Sequence, residues 1–329
     1  MSKHEGGKLS TESYKGVRDF YPEDMAVQNY IFGVWRKVAE ESGYLEYSAS
    51  ILEYADLYRS KGSDEIVNEQ MYTFTDKGDR EVALRPEMTP TLARMIAARR
   101  KGLKLPLRWF SIPNVFRYER PQRGRKREHW QLNCDLMGIA GVEAEVEIIT
   151  LAYKIMRAFD ARDEDFLIKI NDRRLFDEIF VEIGDASPST KKEVIRLIDS
   201  KEKIDNFESE LNRHLGQEKK EKFLELLKTK KSTHRLDELG AVLHTKGVKN
   251  FIIDTSIARG FDYYTGVVFE VFDTNPDNRR SLFGGGRYDN LLEMFGVEPI
   301  PTVGFGMGDV TIRDFLETHQ LPLSKPKTK

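Results

Sequence analysis

The sequence predicts an α+β protein, in which strands joined as antiparallel hairpins are combined with amphipathic helices and a helical insertion. Three observations support this class. Residues 130–136 alternate apolar and polar side chains, which is typical of a strand with one face on a core. Residues 142–156 place apolar side chains three and four positions apart, which predicts a helix. Residues 172–245 are highly charged, with helical patterns and few strand signals, and they predict the insertion.

Composition limits the class of partner that the protein can bind. The chain has 329 residues, with 52 Lys and Arg against 54 Asp and Glu, and its net charge is -2. This length suggests about two domains with an ample core. A nearly neutral chain lacks the overall charge of a polyanion-binding protein, so any nucleic-acid contact must come from local basic patches.

The cysteine content and the hydropathy pattern indicate the compartment. The single cysteine, Cys134, excludes an internal disulfide framework and fits a reducing environment. It lies on the apolar side of its predicted strand, so we expect a buried structural thiol rather than a nucleophile. No apolar run approaches the roughly 18 residues that span a membrane, and the N-terminus has no apolar signal region. We therefore expect a soluble, cytoplasmic protein.

The N-terminal part of the chain predicts a polar tail, a helix and a strand. Residues 1–13 are polar and are predicted to be disordered. Pro22 begins a helix that we expect to run to Ser42, because proline suits the first helical position. The apolar stripe of this helix could serve either the core or a dimer interface, and the sequence does not separate the two. Gly43 ends the helix, and a strand is predicted over residues 44–52.

Several further segments have clear patterns. Residues 54–70 predict a helical turn and a polar loop, and residues 71–84 predict a hairpin with its turn at Lys77, Gly78 and Asp79. Later in the chain, a helix is predicted over residues 141–159, followed by a strand over residues 163–171.

A stiff loop follows the first hairpin. Glu87 stands between Pro86 and Pro90, and each proline also restricts the residue before it. A glutamate and a threonine, Thr89, held in this way could clamp an ammonium group. The alternative is that the segment only caps the next helix, which is predicted over residues 91–101.

A second hairpin carries most of the candidate chemistry. Residues 107–118 are rich in aromatic and β-branched side chains, which predicts the partner of the strand that begins near residue 130. The basic loop 120–127 would form the hairpin tip, Arg117 its mouth, and Gln131 and Asp135 a polar floor. This arrangement suits a polyanion beside a small polar molecule. The alternative is a solvated charge run on an ordinary hairpin.

The last third of the chain returns to strands. Strands are predicted over residues 250–257 and 267–272, and the turn before the second contains Arg259, Tyr263 and Tyr264. The arginine could pair with a phosphate, and the tyrosines could contact a planar polar ligand. An ordinary turn with surface tyrosines remains the alternative. The lysines of the insertion could likewise touch a phosphate backbone or form a solvated helix face.

Glycines recur in two late segments. Residues 284–291 are expected to form a glycine-rich loop, which by itself is weak evidence for phosphate binding. Residues 302–316 predict a glycine-rich strand that runs into a helix. Because glycine is unfavourable in strands, its recurrence at Gly304, Gly306 and Gly308 indicates that something flat packs against that face.

Taken together, these motifs resemble a known family. FRYERPQRGRKREHWQ resembles motif 2 of the class II aminoacyl-tRNA synthetases in its histidyl form, and ARGFDYYTG resembles the histidine-recognition motif of histidyl-tRNA synthetases. YKGVRDFYPEDM, ALRPEMTPTLAR and GGGRYDNL match the same family in the expected order. The resemblance spans about residues 14–316.

The resemblance implies a fold and an activity. The fold is a class II synthetase-type antiparallel β-sheet flanked by helices, with a helical insertion, in a homodimer. Its expected parts, in chain order, are a disordered N-terminus (1–13), the first part of the catalytic core (14–171), the helical insertion (172–245), the second part of the catalytic core (246–318) and a linker or tail (319–329). The reaction joins histidine to ATP as histidyl-adenylate and then passes histidine to histidine tRNA. Mg²⁺ would arrive with ATP, and no side-chain metal site is implied.

The resemblance also implies roles for individual residues. Glu87 and Asp135 would hold the α-ammonium group of histidine, and Tyr264, helped by Tyr263, would read its imidazole. The whole histidine-binding set is Glu87, Met88, Thr89, Gln131, Asp135, Arg259, Tyr263, Tyr264 and Tyr288. The catalytic set is Arg117, Arg259 and Gln131, the ATP-binding set is Arg117, Glu119 and Arg259, and the tRNA-binding set is Arg120, Gln122, Arg123 and Arg125.

The sequence departs from the family pattern in three places. The arginine that usually ends motif 3 is replaced by Thr311, and Arg313 would point elsewhere on the same helix. The proline typical of motif 1 corresponds to Ser50. We also expect a catalytic region without the C-terminal anticodon-binding domain. These departures keep one alternative open, the regulatory subunit of ATP phosphoribosyltransferase, a histidine-binding paralogue that does not aminoacylate.

Overall fold

The fold was established from a computed structural model. It describes residues 9–60, 66–185, 187–199, 201, 204–257, 263–278 and 281–324. Most of the predicted disordered segment, residues 1–8, therefore lies outside the described residues. Residues 9–13 contain neither helix nor strand.

The described chain combines strands, α-helices and short helical turns. The strands are Leu45–Glu46 (β1), Leu52–Tyr54 (β2), Tyr72–Thr75 (β3), Glu81–Leu84 (β4), Leu107–Ser111 (β5), Asn114–Phe116 (β6), Glu128–Met137 (β7), Phe166–Asp172 (β8), Phe251–Ile253 (β9), Val267–Asp273 (β10), Ser281–Arg287 (β11) and Thr302–Gly308 (β12). The α-helices are Pro22–Glu41 (α1), Ala55–Arg59 (α2), Thr89–Arg99 (α3), Glu143–Ala158 (α4), Arg174–Glu182 (α5), Pro188–Asp199 (α6), Phe207–Leu215 (α7), Gln217–Thr229 (α8), His234–Thr245 (α9) and Asp309–Thr318 (α10). Short 3₁₀ or π turns occupy Ile66–Gln70, Arg100–Gly102 and Leu291–Phe295.

A large, mainly antiparallel sheet organises the molecule. Within the described residues its strand order is β1-β5-β7-β12-β11-β10-β8-β9, and β6 also pairs with β7. The pairs β1–β5 and β8–β9 at the two edges are parallel, and the other pairs are antiparallel. A smaller antiparallel sheet has the order β2-β4-β3. This arrangement confirms the predicted fold class, an antiparallel sheet flanked by helices.

The central hairpin forms as predicted, with one break. Strands β5 and β6 both run antiparallel to β7, in a register that pairs Phe110 with Cys134 and Val115 with His129. The predicted continuous strand over residues 107–118 is divided at Pro113, which has no N–H to donate. Its carbonyl still accepts from the backbone N–H of Gln131 at 2.9 Å, so the two pieces stay on the same partner.

Three other predictions need correction. The single strand expected over residues 44–52 is two short strands in different sheets, β1 and β2. The strand expected over residues 250–257 is confined to β9. The expected glycine-rich loop, residues 284–291, begins inside strand β11. A side chain at Gly285 would overlap the carbonyl oxygen of Gly304 on β12, so the glycine allows close strand packing rather than a turn.

The two faces of the large sheet have different roles. Helices α1, α4, α9 and α10 cover one face and bury the main hydrophobic core with it. On β7, Leu132, Cys134 and Leu136 belong to this core, as their alternation predicted. The intervening polar residues of β7 face the opposite side, where the sheet forms the floor of a cavity.

The helical insertion has a core of its own. Helices α5 to α8 bury a separate cluster that includes Phe176, Phe180, Leu211 and Phe223. Helix α9 packs instead on the main core through Leu236, Leu239 and Leu243. The predicted boundaries, residues 172–245, remain a prediction. Within the described part of the chain, no helix has both the length and the apolar character needed to cross a membrane.

Candidate active site

A cavity of about 1190 Å³ lies on the open face of the large sheet. Its floor comes from β7, β10, β11 and β12, and its rim from the loop after β4 and the hairpin tip. Most of the predicted site residues line it: Glu87, Thr89, Arg117, Glu119, Gln122, Arg123, Arg125, Gln131, Asp135, Tyr263, Tyr264 and Tyr288. The structure therefore brings together side chains as far apart in the sequence as Glu87 and Tyr288.

Three predicted residues are not among those lining side chains. Met88 is buried in the protein, with 1% of its surface exposed. Arg120 is exposed on the hairpin loop outside the cavity. Arg259 falls in residues 258–262, which lie outside the described residues, so its predicted role stays a prediction.

Two buried carboxylates mark one end of the cavity. Glu87 and Asp135 are only 3% and 4% exposed. Burial raises the pKa of Glu87 to about 7, although the nearby Arg117 and the Tyr263 hydroxyl act in the opposite direction. Burial likewise raises the pKa of Asp135 to about 7, against a hydrogen bond from Tyr288. Buried acids of this kind favour a bound cation, because it would stabilise their charged forms.

Three tyrosines form a wall beside these acids. The ring centroids of Tyr263 and Tyr264 are 5.0 Å apart, and those of Tyr263 and Tyr288 are 5.6 Å apart. The hydroxyl of Tyr288 donates a hydrogen bond to Asp135, and that of Tyr263 lies 3.5 Å from a Glu87 oxygen. The wall can therefore contact a planar ring whose polar substituents face the carboxylates.

The recurring glycines of β12 form part of the floor, and their role is steric. A side chain at Gly304 would overlap the Asp135 carboxylate and the Tyr288 hydroxyl. A methyl group at Gly306 would lie 2.7 Å from the amide nitrogen of Gln131. The objects that pack against this face are thus the polar side chains of the site themselves, which only glycine accommodates.

Arg117 lies at the mouth of the hairpin, as predicted. Its guanidinium donates to the carbonyl oxygen of Pro86 at 2.9 Å, which ties it to the loop that carries Glu87. His129 is its neighbour in the cavity. Burial lowers the pKa of His129 to about 3, helped by the positive charges of Arg117 and Arg18. This histidine is therefore neutral at physiological pH and can offer a hydrogen bond without adding charge.

The hairpin tip is anchored and cationic. Arg123 donates to Asp314 on α10 at 2.9 and 3.0 Å, and Arg125 lies 3.4 Å from Glu119. Gly124 makes the turn with a φ of 74°. These contacts hold the basic loop over the cavity, so it is more than a freely solvated charge run.

Thr311, which stands where motif 3 usually has an arginine, lies on the cavity wall. The hydroxyl of Thr311 donates to the carbonyl oxygen of Leu282 at 2.7 Å, on the cavity wall. Arg313 turns away and binds Asp24 at 3.2 Å and Glu317 at 2.8 Å. It does not replace the absent arginine, as the helical spacing indicated.

Sequence reasoning missed some lining residues. His129 and Asn133 alternate with Gln131 and Asp135 along β7, so the period of two that identified the strand could have included them. Glu270 lines the cavity from β10. Its charge within an otherwise apolar strand was the sequence signal that could have identified it. In the described ranges no group of three or more His, Cys, Asp or Glu side chains is arranged to hold a metal ion.

An antiparallel sheet with helices on one face and a polar cavity on the other, roofed by a basic hairpin loop, is the architecture of a class II aminoacyl-tRNA synthetase catalytic domain. Among solved structures, a histidine–tRNA ligase subunit from Alicyclobacillus acidocaldarius superposes with a TM-score of 0.76 at 25% identity. The match covers 95% of this chain and 99% of that one.

The sequence comparisons agree. The family model for histidyl-tRNA synthetase matches residues 16–310. The histidine–tRNA ligase of Leptospira biflexa is 46% identical, over 95% of this chain and 76% of the relative. That of Opitutus terrae is 40% identical, over 94% and 76%. The chain belongs to the histidyl-tRNA synthetase family.

Proposed function

We propose that this chain is a histidine–tRNA ligase that forms histidyl-adenylate from histidine and ATP and transfers histidine to its tRNA. The observation that carries the proposal is the pairing of two buried carboxylates with three tyrosines at one end of a cavity whose rim is cationic. Relatives at 46% and 40% identity are named histidine–tRNA ligase, which favours this activity over the regulatory-subunit alternative.

The buried end of the cavity would bind histidine. Glu87 and Asp135 would accept hydrogen bonds from the α-ammonium group, and Tyr263 and Tyr264 would contact the imidazole. Tyr288 would hold Asp135 in place through its hydroxyl group, which is supported by their hydrogen bond. The further contributors that we propose are Thr89 and Gln131, which line the cavity, and the backbone of Met88.

The cationic rim would bind ATP. The histidine carboxylate would attack the α-phosphorus, and pyrophosphate would leave as the bond to the β-phosphate oxygen breaks. Arg117, with Arg259 from the opposite side, would neutralise the charge that builds up at this phosphorus, while Gln131 and Glu119 help to orient the reactants. Positioning and charge neutralisation suffice for such a reaction, so no protein nucleophile is needed. Mg²⁺, bound to ATP, would supply further charge neutralisation.

The hairpin loop would meet the acceptor end of histidine tRNA. Arg120 is exposed there, and Gln122, Arg123 and Arg125 line the cavity rim. Cationic side chains near the reacting centre would hold the sugar–phosphate end of the tRNA by charge, without reading its sequence.

We also propose a homodimer that works in the cytoplasm. The dimer is supported by a set of exposed apolar side chains on the small sheet: Leu52, Tyr54 and Phe74. Such clusters often mark protein interfaces. Within each protomer we propose a catalytic core of residues 14–171 and 246–318, interrupted by the helical insertion.

Histidine-dependent exchange of pyrophosphate into ATP tests the proposal. We expect exchange with wild type and a large loss with Arg117→Ala, because the exchange measures adenylate formation directly. A histidine-binding regulatory subunit would bind histidine in calorimetry without catalysing exchange. Absence of exchange in a preparation that binds histidine would therefore select that alternative.

A further inference from the structure

A buried ion cluster lies next to the cavity but outside it. The Glu145 carboxylate, only 1% exposed, accepts two hydrogen bonds at 2.7 Å from Arg287. The same carboxylate accepts from Arg235, on helix α9, at 2.8 and 3.0 Å. Two guanidinium groups therefore share one buried carboxylate, and one of them comes from the end of the helical insertion.

Arg287 directly precedes a tyrosine of the cavity wall. Tyr288 follows it at the end of β11, and the carbonyl oxygen of Arg287 accepts from the backbone N–H of Thr265 at 2.8 Å. The stem of Arg287 also packs closely against Gly266, where an added methyl group would lie 3.2 Å away. The segments that carry Tyr264 and Tyr288 are thus held side by side through Arg287.

The beginning of the insertion contacts the same place. The backbone N–H of Arg173 donates to Gly266 at 3.1 Å, and its guanidinium donates to the carbonyl oxygen of Tyr264 at 3.2 Å. The neighbouring Asp172, fully buried, accepts from the Thr233 hydroxyl at 3.1 Å. The two ends of the insertion are therefore fastened to each other and to the backbone next to the tyrosines.

We propose that Arg173 and Arg235 are positioning residues of the histidine site, through which the seating of the helical insertion sets the placement of Tyr264 and Tyr288. The inference rests on the proposed histidine site and adds a coupling between that site and the insertion. Arg173 acts on the Tyr264 backbone, and Arg235 acts through Glu145 and Arg287. A force that moves the insertion, such as bound RNA, would then alter histidine affinity.

Electrostatics supports the coupling through Arg235. A buried carboxylate requires compensating donors, so the loss of Arg235 would leave the Glu145 charge undercompensated and draw Arg287 more strongly toward it. Arg287 also donates to Asp289 at 3.2 Å, and this longer contact would weaken as Arg287 moves toward Glu145. Such a shift would move the backbone before Tyr288, whose hydroxyl contacts Asp135.

Histidine titration by calorimetry of folded Arg235→Ala, Arg173→Ala and wild type tests this inference. Because each variant acts on the histidine site only through its neighbours, we expect about tenfold weaker histidine binding, and ATP affinity should be unchanged. Arg108→Ala is the matched control. Arg108 makes a two-contact ion pair, at 2.6 and 2.7 Å, with the more exposed Glu147 on the same helix α4, and it does not line the cavity. Arg235→Gln replaces the alanine variant if that variant does not fold.

A double-mutant cycle with Tyr288→Phe identifies the route. If Arg235 acts through Tyr288, Arg235→Ala should weaken histidine binding less than twofold once the hydroxyl is gone, because interacting residues are not additive. The inference would be overturned if Arg235→Ala weakened histidine binding by the same factor in both backgrounds, or if Arg108→Ala had an equal effect. It would also be overturned if either the Arg173 or the Arg235 variant bound histidine with unchanged affinity. If the wild-type chain does not bind histidine, the proposed function itself is wrong.

Discussion

The pH dependence of histidine binding follows from the two buried acids. Glu87 and Asp135 each have a pKa of about 7 in the free protein because burial opposes their charge. An α-ammonium group between them would favour their ionised forms and lower both pKa values. The affinity for histidine should therefore rise as the pH increases through 7, because the free protein must release protons in order to bind histidine.

The magnitude can be estimated from the same values. At pH 6, one unit below the pKa, about a tenth of each carboxyl group is ionised. If binding requires both charges, the affinity at pH 6 should be about a hundredfold below its plateau above pH 8. Removing one acid should reduce this dependence to about tenfold.

Calorimetric titration between pH 6 and 8.5 measures this dependence, with Glu87→Gln as the matched variant. The imidazole of histidine also titrates in this range, but it changes the dissociation constants of wild type and variant by the same factor. Its effect therefore cancels in the ratio of the two constants. That ratio should change about tenfold between pH 8 and pH 6. A ratio independent of pH would show that Glu87 does not titrate on binding, and the assignment of the ammonium site would be wrong.

The remaining predictions concern stability and steric fit. Because the pKa of Glu87 is raised on folding, its ionisation destabilises the free protein as the pH rises from about 4.5 to 7. Glu87→Gln should therefore increase the free energy of unfolding in urea by about 3 kcal/mol at pH 8. A lower stability of the variant would contradict this. Gly304→Ala should abolish histidine binding with little effect on ATP, which titrations with each ligand would check. Asp309→Ala should destabilise by at least about 3 kcal/mol, since this buried carboxylate accepts from Arg18, Gln28 and the Trp130 backbone; a change below about 1 kcal/mol in the same assay would be inconsistent with that role.

The parts of the fold that depend on local pattern could be predicted from the sequence. The period of two along β7 separated its core face from its polar face, and it correctly buried Cys134. Helix α1 begins at Pro22 as expected, and helix α4 lies within its predicted range. Such signals arise within one element, so no knowledge of distant contacts is required.

The errors occur where distant strands decide the outcome. Three successive glycines normally favour a loop, but at Gly285 the neighbouring strand approaches too closely for a side chain, and the segment is a strand. The contacts of Asp309 likewise join residues as far as 291 positions apart, and no local pattern reports them. The site could be predicted further than the packing, because the family resemblance identified residues that are brought together only in the folded chain.

The ion cluster around Glu145 was beyond sequence reasoning for the same reason. Arg235 and Arg287 each belong to segments with other apparent roles, a charged insertion and a glycine-rich motif. Only the folded arrangement shows that they share one carboxylate and that this carboxylate lies beside the tyrosine wall.

A crystal structure of the chain with bound histidine would locate the amino-acid site directly. We expect the α-ammonium nitrogen within about 3 Å of both the Glu87 and Asp135 carboxylates, with the imidazole against Tyr263 and Tyr264. Histidine bound elsewhere, or bound in this cavity with its ammonium group away from both acids, would contradict it.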